Sequence, residues 1–419
     1  MSLGILQSVL GLGAIVGFAW LVSENRRAFP LGTVLIGIAI QLGLALLLLK
    51  VPLARQGILA LNGVVTALTD ATTAGTSFVF GYVGGGKPPF EVTDPANAYS
   101  LAFQALPLVL VISAISALLW YWRVLDWVTK GFSILLQKSM RLGGAVGLAT
   151  AANTFLGMVE APLLIRPYLQ KLSRAELFMV MTVGLSTVAG TVLVLYASFL
   201  QNTVPGALGH ILVASLVSLP AAILIARVML PEEHGEVPTA VGDDVPYLEY
   251  ESSMDAVTQG TMEGLKLFLN IMAMLVVMVA LVALANILLG LLPDMAGTPL
   301  TAQRIMGWIF SPLVWLMGVP ASEMQMAGQL MGEKTILNEF IAYVHLGNLA
   351  PGTLSERSSL IMVYAMCGFA NFGSVGIMIG GMTAMAPERR AEIVSLALRA
   401  LVSGTLATSM TGAIIGLVI

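Results

Sequence analysis

Apolar residues run along this chain in eight long stretches, near 3–22, 30–50, 101–122, 176–200, 208–230, 267–292, 358–386 and 391–418. Each reaches the roughly 20 residues that an α-helix needs to cross the hydrocarbon of a bilayer. A spanning helix is the element such a run predicts, because it satisfies its own backbone hydrogen bonds in lipid. Two other stretches mix apolar and polar positions. One, 124–172, holds an amphipathic segment and then Asn153-Thr-Phe-Leu-Gly-Met-Val-Glu-Ala-Pro-Leu-Leu-Ile165. The other, 300–347, ends in Asn338-Glu-Phe-Ile-Ala-Tyr343. Only 231–265 is strongly polar and reads as a cytoplasmic linker, while 81–100 reads as an outside loop.

Composition agrees with the pattern. Hydrophobic residues make up 57% of the 419 positions and charged residues 10%, against about 25% charged in soluble domains. The mean hydropathy is +0.90. A polytopic, all-α membrane protein is expected. The net charge of −3 gives no sign of a nucleic-acid partner. The single cysteine, Cys367, excludes an internal disulfide, and His210, His234 and His345 are too scattered to suggest a metal site. The N-terminus, without a basic region or cleavage site, reads as the first span and not as a signal peptide. No Asn-x-Ser/Thr acceptor occurs, which with the short loops suggests a bacterial inner membrane protein.

Basic residues fix an orientation. Arg26, Arg27, Arg123, Lys130, Lys138, Arg141, Arg166, Lys171, Arg174, Arg389 and Arg390 fall on one side if both termini are outside. Arg141 and Arg166 then share the inside, so the apolar segment between them must enter and return. It reads as a re-entrant hairpin with its tip near Asn153 to Ala161. The same reasoning gives 309–347 a hairpin entering from outside. Non-helical backbone at membrane depth persists only where it is buried in protein or lines a cavity. Gly184-Leu-Ser-Thr-Val-Ala-Gly190 and Gly368-Phe-Ala-Asn-Phe-Gly-Ser374 each follow a hairpin with an acid near its tip. Eight spans and two hairpins of opposite orientation thus make an inverted repeat, a transporter signature.

Glu160 and Glu339 are carboxylates in apolar surroundings, each costing roughly 2.5–3.5 kcal/mol at bilayer depth. They are candidates to accept hydrogen bonds from a solute or to exchange protons. Asn371 and Ser374, among Gly368, Gly373 and Gly376, suggest an unwound helix that touches substrate. Asn153 and Thr187 are candidate cation ligands, or else satisfy their own helices. Phe369 is a candidate stacking surface, or else core.

Three motifs carry a resemblance. Gly157-x-x-Glu-Ala-Pro-Leu-Leu-Ile-Arg-Pro-Tyr168, Lys334-Thr-Ile-Leu-Asn-Glu-Phe-Ile-Ala-Tyr343 and Cys367-Gly-Phe-Ala-Asn-Phe-Gly-Ser374 occur in order. They resemble the first-hairpin, second-hairpin and seventh-helix motifs of the concentrative nucleoside transporters. The resemblance implies a homotrimer that moves nucleosides on a sodium or proton gradient, with no other cofactor. It implies that Glu339, Asn371 and Ser374 hold the ribose hydroxyls, with Phe369 close by and Asn338 beside Glu339 at the tip. Gly157, Glu160 and Val192 would line the base side. Asn153 and Thr187 would bind sodium with the carbonyls of Leu156 and Val188. The chain departs from many members in having Met158-Val159 where they have Gln-Thr. An apolar pair grips a ring by contact and distinguishes bases poorly.

The expected division is 1–122, mainly scaffold helices one to three with an external segment; 123–230, the first-repeat transport elements; 231–265, the linker; 266–300, scaffold helix six; and 301–419, the second-repeat transport elements. The expected activity is elevator-like import of nucleosides driven by sodium, with a proton as the alternative coupling ion. A channel would need a repeated filter, and an intramembrane enzyme a nucleophile or histidine beside the acids.

Overall fold

Whether an apolar run stays one helix depends on a few glycine and polar positions within it. The computed structural model describes residues 3–92, 99–201, 203–232, 239, 250–295 and 297–419. Among these are seventeen α-helices and no strand. They are α1 (Leu3–Leu21), α2 (Leu31–Lys50), α3 (Pro52–Phe80), α4 (Leu108–Tyr121), α5 (Val124–Met140), α6 (Gly144–Ala152) and α7 (Glu160–Leu163). Then come α8 (Arg174–Ser186), α9 (Gly190–Leu200), α10 (Ala207–Met229), α11 (Ser253–Leu289) and α12 (Ala302–Leu316). The last are α13 (Met324–Ile336), α14 (Glu339–Gly347), α15 (Glu356–Met366), α16 (Phe372–Met385) and α17 (Arg390–Val418).

Seven stretches of the described residues are long and apolar enough to cross a membrane: Leu3–Leu21, Leu31–Lys50, Leu101–Tyr121, Arg174–Leu200, Ala207–Met229, Ser253–Leu289 and Pro387–Val418. The expected eighth, 358–386, is two short helices, α15 and α16, parted at Cys367–Asn371. Arg174–Leu200 is also interrupted. Thr187 is extended (φ −128°, ψ 172°), as is Asn371 (φ −143°, ψ 164°), and neither can continue a helix. A 29-residue helix, α3, covers a stretch that the apolar runs assigned to no span. Asp70, Thr69, Thr72, Thr73 and Thr76 lower its hydropathy, so its signal is one-sided periodicity.

Where the first hairpin is expected, α6 and α7 flank a turn over 153–159. The second is shorter than expected. Residues 302–316 form a separate helix, α12, and only α13 and α14 flank the break at Leu337 and Asn338. The helix order α4 to α10 then recurs as α11 to α17: an apolar helix, an amphipathic one, a short pair, a broken pair and a long helix. Of the expected linker, 233–238 and 240–249 lie outside the described residues, as do His234 and Asp94. Its last part, from Ser253, is already α11.

Small residues set the packing. A Cβ on Gly260 would lie 2.7 Å from that of Ala117, and one on Gly264 2.9 Å from that of Ser113. This small-xxx-small seam lets α11 lie close against α4. Farther along, α11 is turned outward, with Val276 71% and Ile287 67% exposed. Ser8 of α1 donates to the Met317 carbonyl (2.9 Å). Ions lace one end of the bundle: Glu24 accepts from Arg174 of α8 (3.0 Å) and Arg399 of α17 (2.6 Å). Arg389 donates to the carbonyls of Leu169 (2.8 Å) and Leu172 (2.7 Å).

At the centre the two broken helices cross. The Phe369 N–H donates to the Thr187 carbonyl (3.2 Å), and the Gly190 N–H to the Phe155 carbonyl in the first hairpin (3.1 Å). Gly368 permits this approach: a Cβ there would lie 2.7 Å from Thr408 Cγ2 and 2.9 Å from the Ser186 carbonyl carbon. Ser186 offers backbone, which cannot swing aside. Gly368→Ala is therefore expected to cost about 1–3 kcal/mol through overpacking. The drop should appear in the melting temperature of the purified protein in detergent; an unchanged melt would place the crossing elsewhere.

Candidate functional site

Two asparagines begin two of the helices at this crossing. Asn338 caps α14, its Oδ1 accepting from the Ile341 N–H (2.9 Å). Asn371 caps α16 in the same way, accepting from the Ser374 N–H (2.7 Å). Each cap satisfies a backbone donor that the first turn leaves free. Asn371 then still has its amide nitrogen, which donates to Glu339 Oε2 (2.8 Å). Glu339 is the first residue of α14, where the helix dipole favours a carboxylate. Its other oxygen, Oε1, accepts from the Tyr196 hydroxyl of α9 (2.7 Å). The Tyr196 ring stacks on Tyr343 at 5.0 Å, and the Tyr343 hydroxyl donates to the Val363 carbonyl (2.7 Å).

The result is a buried polar cluster drawn from both halves of the sequence. Glu339 is 4%, Asn371 2% and Ser374 7% exposed. Phe369 is half-buried and tied by its amide to Thr187. Val192 is buried one helical turn before Tyr196.

On the other side of the Thr187 break is a set of neutral oxygens. Asn153 ends α6, and its amide nitrogen donates to the Val183 carbonyl (3.1 Å) and to the Thr187 hydroxyl. Thr187 in turn donates to Val183 (3.1 Å). Among the described residues, Asn153 Oδ1 is buried with no hydrogen-bond partner. Among the described residues, neither the Leu156 nor the Val188 carbonyl accepts a hydrogen bond. Buried polar atoms are ordinarily partnered, so an orphaned oxygen beside a hydroxyl suits a cation of the sodium type, which takes neutral oxygens.

The remaining expected residues are placed differently. Glu160 is exposed at the start of α7 and makes none of these bonds, so the two acids are not equivalent. Gly157 lies against it; a Cβ there would fall 2.2 Å from Glu160 Oε2. Met158 is buried against Gly184 of α8, and Val159 packs on Gly381 of α16. Both fill gaps left by glycines in neighbouring helices. Tyr196 carries a role that the sequence reading did not assign. Its signal was a lone phenol in an apolar run, one turn after Val192 on the same face. Lys334, fully buried near Glu339, stood inside a recognised motif without a role.

Known proteins match this chain along its length. Residues 10–83 and 210–416 match the N- and C-terminal family models described as Na+ dependent nucleoside transporter, and 102–203 match one described as Gate, nucleoside recognition. The nucleoside permease NupC of Helicobacter pylori is 34% identical over 99% of this chain and 98% of its own. Human solute carrier family 28 member 3 is 35% identical over 98% of this chain and 60% of its own. An uncharacterized transporter of Haemophilus influenzae is 35% identical over 100% of this chain and 98% of its own. Among solved structures, CNTnw in an inward-facing substrate-bound state superposes with a TM-score of 0.90 at 34% identity, over 99% of this chain and 98% of that one. A variant of CNTnw in an outward-facing state gives the same score at 33% identity, over 100% and 98%. An all-helical chain that aligns with such transporters from end to end is an integral membrane transporter and not an enzyme, and it belongs to the concentrative nucleoside transporter family.

Proposed function

We propose that the protein is a secondary active symporter that imports nucleosides on a sodium gradient by an elevator-like motion. The observation that carries this reading is the polar cluster of Glu339, Asn371 and Tyr196 where the two helix breaks cross. A carboxylate accepts at about four lone-pair positions, and here two are used by Tyr196 and Asn371. Glu339, Asn371 and Ser374 would bind the ribose hydroxyls. Phe369, Val192, Gly157, Met158 and Val159 would form the surface for the base, with Glu160 at its edge and Asn338 holding the start of α14.

Coupling has a short physical route. Sodium would sit among Asn153 Oδ1, the Thr187 hydroxyl and the carbonyls of Leu156 and Val188. Thr187 is also bonded through its carbonyl to Phe369, two residues from Asn371. A cation that stiffens the Thr187 break therefore stiffens the nucleoside side too. Linkage of this kind is worth commonly about 1–3 kcal/mol and acts in both directions. The orphaned Asn153 oxygen favours sodium over a proton.

The recurring helix order supports an inverted repeat, with the hairpins and broken helices as the moving unit. The first, second, fourth and eleventh helices would be the scaffold of a homotrimer. Both termini would lie outside a bacterial inner membrane.

Four outcomes follow. Purified protein in liposomes should accumulate radiolabelled uridine under an imposed sodium gradient and not under a proton gradient alone; the reverse would make the proton the coupling ion. Asn153→Ala should abolish sodium stimulation, and an unchanged sodium dependence would remove Asn153 from the site. Glu339→Gln should weaken uptake by roughly tenfold to a hundredfold, the loss of hydrogen bonds to a charged acceptor. Competition by purine and pyrimidine nucleosides measures the apolar Met158-Val159 lining, and inhibition constants should agree within about tenfold.

A further inference from the structure

Lys334 is wholly buried in the last turn of α13. Among the described residues its ammonium has one hydrogen-bond partner, the Thr408 hydroxyl of α17, at 3.1 Å. A lysine removed from water with a neutral oxygen as its partner is costly, and the cost is normally met by a counter-charge. The counter-charge here is Glu339, five positions on and across the break at Leu337 and Asn338, which acts on the lysine through space. Among the described residues Lys334 makes no contact ion pair, taken as nitrogen to oxygen within 4.0 Å. Both oxygens of Glu339 are held by neutral donors instead.

We infer that Lys334 is a positioning residue, which keeps Glu339 a carboxylate while leaving its oxygens to a ligand. The inference rests on the proposed role of Glu339 in binding sugar hydroxyls. A contact ion pair would put the ammonium on the lone pairs the hydroxyls need. A lysine one step removed supplies the field, which decays only with the inverse of distance, and occupies none of them.

Other groups around the pair do not supply that charge. Tyr196 faces it from α9 and Tyr343 from α14, with Tyr364 of α15 beside Tyr343, Cys367 after α15, Asn371 at the start of α16 and Thr408 on α17. Glu333 and His345, on the same two helices as the pair, are engaged with each other at 2.7 Å.

The test reads uridine uptake across roughly pH 6 to 9 at a fixed sodium gradient, for wild type, Lys334→Met and Lys334→Arg. Near neutral pH, Lys334→Met should fall by about tenfold or more and recover as the pH rises, because the unassisted carboxyl yields its proton only in more alkaline solution. Lys334→Arg should keep the wild-type profile in position, whatever its height. A Lys334→Met defect equal at every pH would overturn the inference. A second reading needs no transport. Lys334→Met should lower the melting temperature in detergent, and adding Glu339→Gln should restore part of it, since no lone buried charge remains. Losses that simply add would also overturn it. Wild-type protein that accumulates no nucleoside would defeat the proposed function instead, and the melting cycle would still judge the lysine.

Discussion

Backbone groups at the depth of a bilayer have no water to bond, so a helix can be broken there only if something else answers the freed N–H and C=O groups. The two breaks in this chain answer each other. Phe369 gives its N–H to the carbonyl of Thr187, and Gly190 gives its N–H to Phe155 in the first hairpin. Side-chain caps from Asn338 and Asn371 take two more donors. A side chain at Gly368 would clash with the Ser186 backbone, and one at Gly190 would crowd the Phe155 carbonyl oxygen at 3.0 Å. Everything polar at the centre, including Glu339, stands on this scheme of mutual satisfaction.

Charge follows the same logic. The buried side chains of Lys334 and Glu339 lie on either side of one break and, among the described residues, make no ion pair with each other. The neutral donors on Glu339 come from a helix of the first half and from a cap in the second. Among the described residues, Asn153 Oδ1 and the carbonyls of Leu156 and Val188 are without hydrogen-bond partners on the opposite side of the Thr187 break. The two sides are joined by the bond from Phe369 to Thr187, with Asn371 two residues farther on.

Much of this was legible in the sequence, for a physical reason. A polar residue in an apolar run is conspicuous because its cost there is high, so Asn153, Thr187, Glu339 and Asn371 could be singled out. Glycine clusters marked the unwound stretch at Gly368. What failed was reasoning from apolarity alone. Glu160 and Glu339 looked alike in sequence, yet one is exposed and the other buried, and no local pattern separates them. The helix at 52–80 was missed because its threonines and Asp70 break the apolar run without breaking the helical period. Tyr196 was missed because a tyrosine in an apolar helix is unremarkable until its hydroxyl is seen on Glu339. The second hairpin was drawn too long because α12 is apolar enough to be mistaken for one of its arms.

The bond between Phe369 and Thr187 also bears on how the molecule holds its register. It joins residues 182 positions apart in sequence (369 − 187), from the two halves of the helix order. Tyr196 and Glu339 make a second such join. The mutual alignment of the two halves is set by these joins at the centre. Each half is the template on which the other is set, and neither broken helix has a reason to keep its shape without its partner.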